Sequence, residues 1–107
     1  MTVLTSPHAQ RLFHDILAVI AREQSPQDAV KWRTKILSAV QVLEDFPQSG
    51  SGVPIACFET IPDHVERLRQ TFCCPYRIVY EIVGDEVHIL SIRHTQMLVT
   101  ETDTSWN

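Results

Sequence analysis

The segment from Tyr76 to His94 constrains this chain more than any other. It reads Tyr-Arg-Ile-Val-Tyr-Glu-Ile-Val, then Gly-Asp-Glu, then Val-His-Ile-Leu-Ser-Ile-Arg-His. Two β-rich runs on either side of a Gly-Asp pair form the pattern of an antiparallel hairpin. Apolar residues occupy both faces of each run: Ile78, Val79, Ile82 and Val83 in the first, Val87, Ile89, Leu90 and Ile92 in the second. A sheet wet on one side would alternate cleanly, so these strands are expected in mid-sheet with other elements packed on them.

The N-terminal half supplies two helices for that role. After a short β-leaning run, Thr2 to Thr5, Ser6-Pro7 gives an N-cap followed by proline at the first helical position. Leu12, Phe13, Ile16, Leu17, Ile20 and Ala21 then draw one apolar stripe along a helix ending near Gln24. Ser25-Pro26 repeats the start signal, with Asp28 in the first turn where its charge suits the helix dipole. The second stripe is Ala29, Trp32, Ile36, Ala39, Val40 and Leu43, and the helix runs to about Phe46, where Pro47 stops it. A gap of one or two residues between the helices implies an antiparallel helical hairpin. Trp32 lies in the stripe and is expected in the core.

Residues 47–52 read as a flexible connector, because no strand precedes their two glycines and no Lys-Ser or Lys-Thr follows, as a phosphate loop requires. Residues 53–64, with Pro54 and Pro62, read as an irregular crossing segment, and Val65 to Cys74 as a strand. The expected order is β-α-α-β-β-β: an α+β fold in which an antiparallel sheet carries the helical hairpin on one face. Residues 1–97 form one expected domain, and the largely polar residues 98–107 a loose tail.

Composition narrows the function classes. No stretch approaches the length of a membrane span, and the start lacks a basic region followed by an apolar run, so a cytoplasmic protein with no membrane role is expected. Cys57, Cys73 and Cys74 are an odd number of cysteines, read as reduced thiols. The five histidines show no metal-ligand spacing, and neither a metal nor a cofactor is expected. From Gln48 onward the chain holds four arginines, no lysine and eight carboxylates, which opposes association with a polyanion.

Three features together carry a resemblance: Phe46-Pro47-Gln48-Ser49-Gly50 closing the second helix, Tyr76-Arg77-Ile78-Val79-Tyr80 opening the hairpin, and Ile92-Arg93-His94 closing it. In order of elements and in these motifs the chain, over about residues 6 to 97, resembles the RelE/ParE superfamily of bacterial toxin-antitoxin toxins. The resemblance implies a small toxin of a type II module, a plasmid-stabilisation protein held inactive by a cognate antitoxin that wraps the helical hairpin and sheet. Members of the ParE branch poison DNA gyrase; members of the RelE branch cleave messenger RNA on the ribosome. A homodimer or a toxin-antitoxin hetero-oligomer is compatible with either.

The branches differ in their sites. In-line cleavage of RNA needs a base, an acid and cations around the phosphate. Arg67, Arg69 and Arg77 match basic positions of the cleaving members, and His94 has the chemistry of a base, so these four are the candidate catalytic set. The further arginine and tyrosine of those members fall near Met97 and Asp103 here and are missing. That absence tilts the reading toward a ParE-like binder, for which Arg67, Arg69, Arg77, Arg93 and His94 form the expected exposed target-binding set. A decayed, non-toxic domain that retains only antitoxin binding is the remaining alternative. Arg77 also admits a structural role, paired with Glu81 on the same strand face.

Overall fold

The computed structural model describes all 107 residues. Strand β1 (Thr2–Thr5) leads into helices α1 (Pro7–Glu23) and α2 (Pro26–Asp45), followed by β2 (Ser51–Gly52), β3 (Leu68–Cys73), β4 (Tyr76–Val83) and β5 (Glu86–His94). Both helices start where side-chain caps are available: the Ser6 hydroxyl accepts the Ala9 N–H at 3.0 Å and the Ser25 hydroxyl that of Asp28 at 3.0 Å. Buried Ser6 also donates to the Leu90 carbonyl at 3.3 Å, which ties the start of α1 to the sheet.

The sheet order is β1-β5-β4-β3-β2, so the hairpin of β4 and β5 occupies the centre. Its turn is Gly84-Asp85, and Gly84 adopts φ 61°, a left-handed conformation in which a side chain would be strained. A bulge opposite Val79 and Tyr80 inserts Leu90 as an extra residue: Val79 faces Ser91 while Tyr80 faces Ile89. This explains four consecutive buried residues, Ile89 to Ile92, in one strand. Ile89 and Ile92 turn toward the helices and Leu90 toward the other face.

On the helix face, Ala9, Ile36 and Leu43 pack against Ile78, Tyr80, Val87, Ile89 and Ile92. On the outer face, Leu68, Val79 and Leu90 are covered by Val53 and Phe58 of the crossing segment and by Val99.

Four expectations need correction. The sheet is mixed, because β1 runs parallel to β5 while the other pairs are antiparallel. A parallel pair needs a long crossover, here the whole chain between the two strands, and local pattern carries no record of it. A fifth strand, β2, lies inside the expected connector and pairs with Arg69 and Gln70. The strand expected from Val65 begins at Leu68, after a 3-10 turn over Val65–Arg67. The tail is docked: Val99 bridges Phe58, Glu101–Thr104 form a 3-10 turn, and Val99, Asp103 and Thr104 are buried.

Candidate functional site

The motif that closes α2 is wrapped around one hydroxyl. Tyr80, fully buried on β4, donates to the Pro47 carbonyl at 2.8 Å and accepts the Gly50 N–H at 3.1 Å and Arg69 Nε at 3.4 Å. Arg69 also donates to the carbonyls of Gln48, at 3.0 Å, and Gly50. A Cβ on Gly50 would lie 2.4 Å from both the Gln70 carbonyl and the Tyr80 hydroxyl, so this position tolerates only glycine. The segment expected to be a flexible connector is a clamp on Tyr80, and Arg69 belongs to it.

A second polar cluster fixes the tail. The fully buried Asp103 carboxylate accepts His8 Nε2 at 2.7 Å, Arg93 Nε at 2.7 Å, and the Thr100 N–H and hydroxyl at 2.8 and 3.0 Å. Burial works against its charge, but the Thr100 N–H, His8 and Arg93 together outweigh burial and hold the carboxyl below the usual aspartate range. The His8 backbone N–H donates to the Asn107 carbonyl at 2.6 Å, and Trp106 packs on the His88 ring at 4.9 Å.

The remaining candidates separate by face. Arg77 points to the outer face, in register with Phe72 and Arg93, and its Nε donates to Gln70 Oε1 at 3.0 Å. The Glu81 partner expected for Arg77 is taken by Arg67 at 3.0 Å, across an ion pair whose arginine side chain is 66% exposed. His94 is in register with Tyr76 on the helix face, where the two rings meet edge to face at 6.1 Å and Nδ1 accepts the Gln96 N–H. Trp32 is half-buried against Tyr76, with Lys35 over its ring at 4.7 Å. Beside them burial raises the Cys73 and Tyr76 pKa values, for Cys73 against the opposing pull of Lys35, which keeps the thiol protonated.

The candidate catalytic set is therefore not assembled. Arg67 and Arg77 lie on the outer face, His94 lies on the helix face at the far end of β5, and Arg69 is enclosed by carbonyls. No three His, Cys, Asp or Glu side chains converge as a metal site requires.

One concave surface lies elsewhere. The outer edge of β1 has no strand beside it, and Val3, Thr5, Leu37, Val40, Gln41 and Glu44 line a groove of about 330 Å³ between it and α2. Val30, Leu37 and Val42 of α2 are exposed apolar residues.

The chain matches the family model described as ParE toxin of type II toxin-antitoxin system, parDE, over residues 3–99. The chain belongs to the ParE toxin family. Among solved structures it is similar to the chromosomal ParDE toxin-antitoxin system from P. aeruginosa, with a TM-score of 0.68 and 19% identity over 88% of this chain and 95% of that one. That likeness concerns the fold. No curated protein sequence matches the chain.

Within this ParE-family chain, sequence reading missed the polar groups that organise the outer face: Asp103, His8 and Gln70. Asp103 had a local signal, since Thr100 lies three residues before it and the two form a capping box. His8 and Gln70 had none, because their partners lie 95 and 7 residues away in sequence.

Proposed function

We propose that this ParE-family toxin acts by docking on a protein target, DNA gyrase being the target the family implies, and not by cleaving RNA. A cognate antitoxin neutralises it in the cytoplasm. The observation that carries this reading is the division of the basic groups between the two faces of the sheet. A base and a cation must reach the same phosphate, yet His94 and Arg77 project from opposite faces. Asp103, near which the resemblance places the tyrosine of cleaving relatives, is enclosed by four hydrogen bonds and has no access to a substrate. Docking needs only a surface, and of the outer-face arginines Arg67 is exposed, whereas Arg77 is buried and Arg93 is paired with Asp103.

The unpaired edge of β1 and the apolar residues above it on α2 support a place for the antitoxin, since an extended segment added there would satisfy strand groups and cover Val3 and Leu37. Supercoiling by purified gyrase tests the reading. The purified chain is expected to inhibit it, and the short product of the adjacent reading frame to restore it. Uninhibited gyrase, together with cleavage of ribosome-bound message, would replace docking by the nuclease reading.

A further inference from the structure

Arg77 is the one arginine or lysine that the fold buries, at 8% exposure. Its only short polar contact is the neutral Gln70 side chain, at 3.0 Å. Its terminal nitrogens have the Met97 carbonyl at 3.4 Å, at the long end for an N–H···O bond, and Cys57 Sγ at 3.5 Å, an ordinary distance to a neutral sulfur. The four ion pairs of the molecule engage Asp103, Glu81 and Glu86, and none includes Arg77. Arg93, directly across the strand pair, is satisfied by Asp103 and adds a like charge beside it. A guanidinium is a permanent cation, and neutral dipoles offset only part of the cost of withdrawing it from water. Arg77 is thus a desolvated positive charge that lacks a counter-charge.

Two exposed apolar side chains flank it. The Phe72 ring lies 5.8 Å from the guanidinium carbon and Phe72 is 44% exposed, while Met97, whose carbonyl makes the 3.4 Å contact, is 51% exposed. We propose that Phe72, Arg77 and Met97 form a receptor for a single carboxylate carried on an apolar segment of a protein partner. The carboxylate replaces the long contact to the Met97 carbonyl, and the neighbouring apolar side chain covers Phe72 and Met97. Charge sets the class of ligand: with eight carboxylates against four arginines from Gln48 onward, this half of the molecule repels a polyphosphate chain at every phosphate, whereas a lone carboxylate on an uncharged segment meets that repulsion with one charge only while gaining Arg77. The receptor takes its biological setting from the docking reading, but its chemistry stands without it.

The test uses the full chain and nuclear magnetic resonance of the Arg77 Nε–H and the Met97 methyl at constant ionic strength. N-acetylphenylalanine is expected to shift both signals saturably, with at least about tenfold tighter binding than its uncharged amide or inorganic phosphate. Phe72→Ala, at an exposed position, is expected to weaken that binding several-fold while the rest of the spectrum is preserved. The proposal fails if acid and amide bind alike, if phosphate matches the acid, if neither signal moves, or if a single-stranded oligoribonucleotide binds more tightly than the acid. Because the probe is a small molecule, binding retained alongside uninhibited gyrase removes only the gyrase target.

Discussion

The two faces of the sheet are held in different ways. The helix face is closed by apolar side chains from regular elements, Ala9, Ile36 and Leu43 against Ile78, Tyr80 and Ile89. The outer face has a smaller apolar cluster, and the segments covering it are irregular chain fixed by buried charge: Asp103 joins the tail to α1 through His8 and to β5 through Arg93. Packing of the first kind tolerates acid and salt. The second depends on one carboxylate remaining ionised, so the faces should part company when that charge is removed.

The largest effect is expected from Asp103→Ala, which leaves Arg93 and His8 facing a vacated buried site and should cost about 3–5 kcal/mol in urea unfolding. The same group gives a pH dependence of definite sign. Its pKa in the folded chain lies below the ordinary aspartate value of 3.8, so its contribution is complete above that value and drains away as pH falls through the folded pKa. The wild type should therefore lose stability on acidification more steeply than Asp103→Ala. Parallel acid profiles for the two would mean that the tail is held by contacts other than this carboxylate.

Leu43→Ala probes the opposite face. Truncating a side chain with no exposed surface should cost about 3 kcal/mol, with the same penalty at pH 7 and pH 4 because the core cluster it belongs to holds no carboxylate or histidine. A penalty that changes with pH would erase the distinction between the faces.

The same contrast explains what could be read from the sequence. The helical hairpin and the central ribbon were legible because their signals are local: Ser-Pro starts, apolar stripes of period near 3.6, and Gly84-Asp85 between two β-rich runs. The outer face was not, because polar tail residues become buried only when donors distant in sequence meet them. Thr100 to Asn107 has the composition of a loose end, and its docking depends on His8 and Arg93. The arginines were legible as residues but not as roles: chain spacing gives the face of Arg77, not that Gln70 and Arg67 rearrange the expected partners. The parallel placement of β1 and the bulge at Leu90 lack sequence signals of their own.

Tyr80→Phe lies between the extremes, since Tyr80 belongs to the helix-face core but its hydroxyl organises the clamp at Pro47 to Gly50. Loss of the hydroxyl should cost about 1–2 kcal/mol and raise hydrogen exchange at the Gly50 N–H, with the ring still filling its place. Unchanged exchange at Gly50 would show that Arg69 and the backbone close the clamp without the tyrosine.

The smallest change in stability is expected where docking is proposed to begin. Arg67 and Glu81 form a surface pair with the arginine side chain 66% exposed, and such pairs contribute little, so Arg67→Ala should shift unfolding by less than about 0.5 kcal/mol. Its effect on gyrase inhibition should be disproportionate: an arginine desolvated at an interface typically carries more than about 1 kcal/mol, enough for a several-fold rise in the concentration needed for half inhibition. Glu81→Gln supplies the opposing arm, because it releases Arg67 without deleting it, and inhibition should be retained or strengthened. If Arg67→Ala inhibits as well as the wild type, the docking surface excludes the rim of the outer face. If both variants weaken inhibition equally, the ion pair acts by holding the end of β3, and Arg67 is a positioning residue that makes no contact with the target.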